Sequence, residues 1–221
     1  MTPEGAFSYF HPDSLFTGFG WDAETASLLL LKRPVESLLI LGFGGGTVAR
    51  QCRALFPQTV IVGVEISARI LRMAYQHFHL DTLQVTTVNT SGEAFLRRTR
   101  RRFDAIIDDM WPAQPGRPKP LFAEPNWLNL IRSRLKSDGM YAVNLYDRVE
   151  SLYEVKTALQ RFKADFNCVL EVIPGQRVTT IIAGGDDLHT PKEARTRLRR
   201  LAPAFTHGLD HVRYRTLHNS F

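Results

Sequence analysis

Between residues 37 and 65 an apolar run, a glycine loop, a helix-like stretch and a second apolar run follow one another, an order that few folds accommodate. The segments are Ser37 to Leu41, Gly42-Phe43-Gly44-Gly45-Gly46, Thr47 to Phe56, and Thr59 to Val64 ending in Glu65. Strands buried on both faces show no polar alternation, so this order reads as two parallel strands joined by a crossover helix. Four glycines in five positions lose much chain entropy for a mere turn, which favours a loop that a ligand approaches closely. The loop also opens a helix, so its N–H groups face whatever lies above the sheet.

The alternation continues with a helix over 67–78, a strand over 83–88, a helix over 92–98, a strand over 103–109, a helix over 122–135 and a strand over 140–145. Two more strands, 167–173 and 177–183, flank Pro174-Gly175-Gln176, a turn sequence that makes an antiparallel hairpin. The expected fold is α/β: a single doubly wound Rossmann-like sheet of seven strands, mostly parallel, with the last pair antiparallel. An aromatic arm at 1–34 precedes this domain at 35–186, with Asp22 as N-cap of a helix over 23–31. A helix over 191–201 and a tail occupy 187–221.

Glu65 stands twenty-three positions after Gly42 and ends the second strand. There an acidic side chain accepts hydrogen bonds from both ribose hydroxyls of a nucleoside cofactor. A dinucleotide fingerprint needs a glycine or alanine where this chain has Thr47, which weakens the nicotinamide reading. Asp108 and Asp109 end the fourth strand at the mouth of the sheet, where one of them, as base or orienting acid, serves catalysis. Strand alternation turns them to opposite faces. Trp111, Asn144 and Tyr146 share that rim and are candidates to line a substrate pocket, and Tyr9, His11, Trp21 and Asp22 of the arm are candidates for a lid over the cofactor.

Composition narrows the partners. A net charge of +6 reflects arginines at 97, 98, 100, 101 and 102 and at 195, 197, 199 and 200. Without an accompanying recognition motif these read as solvated helix surface, and nucleic acid is not expected. Cys52 and Cys168 are too few for a disulfide framework, and read as buried thiols in a reducing compartment. His77 and His79 cannot share a helix face, so no metal site is expected. The chain shows no secretory signal and no apolar stretch near the roughly 18 residues of a membrane span, which points to a cytoplasmic protein. A homodimer is left open.

The stretch from Leu38 to Trp111 resembles the core of the spermidine synthase (polyamine aminopropyltransferase) family, whose fold is that of class I S-adenosylmethionine-dependent methyltransferases. Leu-Ile-Leu-Gly-Phe-Gly-Gly-Gly-Thr, Val-Gly-Val-Glu-Ile, Gly-Glu-Ala-Phe-Leu and Phe-Asp-Ala-Ile-Ile-Asp-Asp carry the resemblance, which extends more loosely over 37–184. It implies that Gly42, Gly44, Gly45, Gly46, Thr47, Glu65, Ile66, Ser91, Gly92 and Asp109 face S-adenosylmethionine or its decarboxylated form. It also implies that Asp109 receives the proton of an attacking amine.

Three family acids are replaced, by Thr47, Ser91 and Pro112, and a short aromatic arm is expected in place of the family's β-stranded N-terminal domain. An acid beside the aminopropyl chain would repel the carboxylate of intact S-adenosylmethionine; Thr47 removes that repulsion and can donate to the carboxylate instead. The expected function is therefore S-adenosylmethionine-dependent methyl transfer to a small-molecule acceptor. Aminopropyl transfer from the decarboxylated donor is the alternative, and a non-catalytic nucleoside-binding protein the third reading.

Overall fold

A computed structural model describes residues 8–111, 121, 124–146, 152–176 and 179–217. Eight strands form one sheet: β1 (Ser37–Leu41), β2 (Val60–Glu65), β3 (Val85–Asn89), β4 (Phe103–Asp108), β5 (Leu135–Tyr146), β6 (Cys168–Ile173), β7 (Thr179–Gly185) and β8 (Arg213–Thr216), in the order β3-β2-β1-β4-β5-β7-β6-β8. The first five run parallel and the last three pair antiparallel. The expected seven-stranded sheet is corrected to eight, because the tail returns to the sheet. Tyr214 of β8 is buried there and donates its hydroxyl to the Ala26 carbonyl, 3.0 Å away.

Each central strand sends alternate residues to opposite cores, as a strand with both faces covered must. Leu38, Ile40, Ala105, Ile107, Met140 and Ala142 face one side, packed with α1 (Gly20–Ser27), a 3-10 turn at Leu28–Leu30, α2 (Thr47–Leu55) and α3 (Ala68–His77). Leu39, Leu41, Ile106, Tyr141 and Val143 face the other, packed with α4 (Gly92–Arg98), α5 (Trp127–Arg132) and α6 (Leu152–Asp165). The helices α7 (Pro191–Arg199) and α8 (Pro203–Leu209) pack near α1. The parity that separates Ile107 from Ile106 separates Asp109 from Asp108.

Local differences from the expected elements have identifiable causes. Asp22 is not an N-cap: Phe19 is, and Asp22 lies inside the first turn of α1. The strand expected at 83 begins at Val85, after a 3-10 turn over Leu80–Leu83 bounded by left-handed His79 and Gln84. Leu135 opens β5 instead of ending a helix, because it pairs with Phe103 across a register shift. Phe122 and Arg177, expected to open a helix and a strand, lie outside the described residues. Arg197, expected on a solvated face, donates to the Leu29 and Leu31 carbonyls. Cys168 is only half-buried, whereas Cys52 is fully buried, which pushes its thiol up to about 12.

Candidate functional site

The glycine loop joins β1 to α2 at the carboxyl edge of the sheet. Gly42, Gly44 and Gly46 all adopt the left-handed conformation, with φ of 77°, 57° and 84°. The demand is sharpest at Gly42, where a Cβ would lie 2.5 Å from the Asp109 carbonyl oxygen. Two backbones meet there, and no flexible side chain is available to move aside. The loop is thereby held against the end of β4, and the Asp109 N–H donates to the Leu41 carbonyl at 2.9 Å.

Glu65 ends β2 beside this loop and is 7% exposed. Its carboxylate accepts from the Gly44 N–H and from the Ser67 N–H, each at 2.9 Å. The side chain is thus fixed by two charge-assisted bonds. Ile66 beside it is exposed. Ser91 caps α4 by accepting from the Ala94 N–H at 3.2 Å, and the missing side chain of Gly92 makes room for the Met110 sulfur. Gly42 to Gly46, Glu65, Ile66, Ser91 and Gly92 therefore line one edge, above β1, β2 and the start of α4.

The arm supplies a roof to part of that edge. Thr47 accepts from the Tyr9 N–H at 2.8 Å and donates to the Tyr9 carbonyl at 2.9 Å, while Ser8 accepts from the Gly45 N–H. The expected donation from Thr47 to a cofactor carboxylate is corrected, since its hydroxyl proton is directed at Tyr9. Replacing Thr47 with Val is expected to release the arm. Two hydrogen bonds of about 0.5–1.5 kcal/mol each should accelerate exchange of the Tyr9 amide roughly tenfold to hundredfold on loss, as hydrogen-exchange mass spectrometry would record.

The other arm candidates serve the fold. Asp22 is fully buried and accepts from the Thr17 N–H and hydroxyl, from the Gly18 N–H and from Gln51 Nε2 at 2.7 Å, with His211 3.4 Å away. It ties the arm to α2 and to the C-terminal segment. Trp21 packs into the core with its ring edge-on to Phe19. His11 accepts from the Asp13 N–H at 3.2 Å in an exposed turn.

At the end of β4 the two aspartates part company. Asp108 is fully buried on the α5 side, accepting from the Tyr141 hydroxyl at 2.6 Å and from the Met110 N–H at 3.2 Å. Burial, then the charge of Asp108, pushes the Tyr141 phenol well above its ordinary value, so it stays protonated as the donor. Asp109 faces the α1 side and is half-exposed. Its Oδ1 accepts from Asn144 Nδ2 at 2.8 Å and from Trp111 Nε1 at 3.2 Å. The fold thus brings Asp109, Asn144 and Trp111 together, while Pro112 and the side chain of Tyr146 lie outside the described residues.

Sequence reasoning missed Glu24. This α1 residue is fully buried, and it accepts from Asn144 Nδ2 at 2.7 Å. The signal was legible: from Ala23 to Leu31 it is the only charge in a run of small and apolar residues. A helix with no polar face buries whatever charge it carries.

The family model described as the spermine/spermidine synthase domain matches residues 26–185. A probable polyamine aminopropyl transferase of Bifidobacterium longum is 28% identical over 146 residues, covering 64% of this chain and 31% of that protein. The human eEF1A lysine and N-terminal methyltransferase is 30% identical over 136 residues, covering 54% of this chain and 19% of that protein. The chain therefore spans less than a third of the length of either relative. A probable spermidine synthase from Corynebacterium glutamicum superposes with a TM-score of 0.73 at 18% identity, over 93% of this chain and 76% of that one. Human methyltransferase-like protein 13, solved with SAH, gives 0.64 at 24% identity, over 85% and 87%. With the family model covering most of the chain, this protein belongs to the spermine/spermidine synthase family.

Proposed function

We propose that this protein is an S-adenosylmethionine-dependent transferase that moves a methyl group to a small-molecule acceptor. The observation that carries the reading is the convergence, at one edge of the sheet, of three left-handed loop glycines, the buried carboxylate of Glu65 and the Asp109 carboxylate held by Asn144 and Trp111. Glu65 receives the ribose hydroxyls, Ile66 and the Ser91-Gly92 corner border the adenine, and Asp109 acts on the acceptor. Residues 35–186 are the cofactor-binding unit in this reading. Methyl transfer is an in-line displacement, so positioning supplies most of the rate and one proton acceptor suffices.

The loop from Gly42 to Thr47 carries no acid, so nothing in it repels the carboxylate of intact S-adenosylmethionine. Aminopropyl transfer from the decarboxylated donor is the second reading, supported by the family match itself. Calorimetry with the two donors separates them. Tighter binding of intact S-adenosylmethionine is expected; preference for the decarboxylated donor favours aminopropyl transfer, and binding of neither ends both readings.

Glu65→Ala tests the cradle. Losing hydrogen bonds to a charged acceptor is expected to weaken S-adenosylmethionine binding by about 1.5–3 kcal/mol. An unchanged dissociation constant in a variant of normal melting temperature would remove Glu65 from the ribose.

A further inference from the structure

We infer that Glu24 is a positioning residue that holds Asp109 in place through the side-chain amide of Asn144. The inference rests on the reading of Asp109 as the group that acts on the acceptor. Asn144 is 4% exposed, and one of its atoms, Nδ2, lies 2.7 Å from Glu24 Oε1 and 2.8 Å from Asp109 Oδ1. An atom placed between two carboxylate oxygens must be the amide nitrogen, because only the NH2 group has two protons to give. Turning the amide over would set its oxygen against both carboxylates and forfeit two charge-assisted hydrogen bonds. Glu24 therefore decides which end of Asn144 faces Asp109.

Apart from Glu24 and Asp109 itself, nothing among the described residues fixes that orientation. Asn144 Oδ1 is buried and makes no hydrogen bond there, so the amide is oriented from its nitrogen end alone. The approach of α1 to the sheet makes the contact geometrically possible. A Cβ on Gly20, one turn before Glu24, would lie 2.6 Å from Thr179 Oγ1 and 3.6 Å from Asn144 Nδ2. Having no side chain at Gly20 lets the first turn of α1 sit close to the adjoining ends of β5 and β7, and that seat delivers Glu24 to the amide.

The bonds run in series from Glu24 to Asn144, to Asp109 and to the Trp111 indole. The far end of this chain reports on the near end, which gives the test its specificity. Side-chain amide and indole resonances of the 15N-labelled protein are assigned by their loss in Asn144→Ser and Trp111→Phe. Hydrogen exchange is then followed in Glu24→Met, which keeps length but accepts nothing, and in Glu24→Gln, which keeps an accepting oxygen without charge.

In Glu24→Met the Asn144 amide protons are expected to exchange at least tenfold faster, with a shifted Trp111 Nε1–H resonance. Glu24→Gln should restore the Trp111 resonance and bring amide exchange within about threefold of wild type. Should Glu24→Met be poorly folded, Asn144→Leu cuts the same chain from the strand side and should shift the Trp111 resonance alike. Unchanged Asn144 exchange in Glu24→Met would overturn the inference, as would a Trp111 resonance that stays put in both Glu24→Met and Asn144→Leu. These readouts need no acceptor, so a failure of the Asp109 reading, seen as normal turnover in Asp109→Asn, remains distinguishable from a failure here.

Discussion

Asp109→Asn is expected to lower turnover roughly a hundredfold while leaving S-adenosylmethionine affinity within about threefold, the range for removal of one general base. Asn preserves the shape and can still accept through its oxygen from Asn144 and Trp111, whose donors both converge on Oδ1 of Asp109. Only the charge and the capacity to take a proton disappear. Asp108→Asn gives the contrasting result. Asp108 accepts from two donors on the other side of the sheet, the Tyr141 hydroxyl and the Met110 N–H. An amide there turns its NH2 toward one of them, so stability should fall by about 1–3 kcal/mol, the penalty for a buried unpaired polar group. Turnover per folded molecule should stay close to wild type. Steady-state kinetics beside thermal melts check both statements; equal loss of turnover in the two variants would mean that the two faces of β4 do not divide the work.

The largest expected stability effect lies at the opposite edge of the sheet. Asp104, in β4, has a fully buried side chain that meets Arg33, accepts from the Ser37 N–H at 2.8 Å and hydroxyl at 2.7 Å, and meets Lys136 at 3.0 Å. It joins the segment before β1 to β4 and to the start of β5. Burial by itself would raise its carboxyl. The hydrogen bonds from Ser37 and Lys136 and the charge of Arg33 outweigh that and hold it below the usual carboxylate range.

Asp104→Ala leaves those donors without their acceptor and is expected to destabilise the fold by about 3–5 kcal/mol, as breaking a buried ion pair does. A carboxyl whose folded value is depressed contributes stability above its unfolded value near 4, and loses it as pH falls further, through the folded value. Wild-type stability should therefore decline below about pH 4, and the Asp104→Ala variant should lack that part of the decline. Urea melts at pH 7 and across the acid limb measure both effects. Equal acid slopes in the two proteins would show that Asp104 stays ionised over that range or is not the group responsible.

The centre of the sheet could be read in the chain because β1 and β2 are apolar almost throughout and bounded by glycine or a single acid. Ser37 to Leu41 and Val60 to Glu65 have no polar face to leave in water, so they can only be central, and the glycines between them permit the left-handed turn that Gly42 and Gly46 make. Period-two alternation likewise places Asp108 and Asp109 on opposite faces from the sequence alone. Local chemistry of this kind acts within a few residues, and sequence records it directly.

What only the tertiary structure decided involves partners distant along the chain. The fragment Arg213–Thr216 becomes a strand because β6 offers it an open edge and the core accepts Tyr214. Thr47 looked like a donor for a cofactor until Tyr9, thirty-eight residues earlier, took both its bonds. Asp22 looked like a helix cap or lid residue and proves to be a buried hub joining the arm, α2 and the C-terminal segment. Glu24 reaches Asn144 across 120 residues of sequence. A buried polar group must find its hydrogen-bond partner wherever the fold brings one, and that choice is made by packing, which no short stretch of sequence encodes.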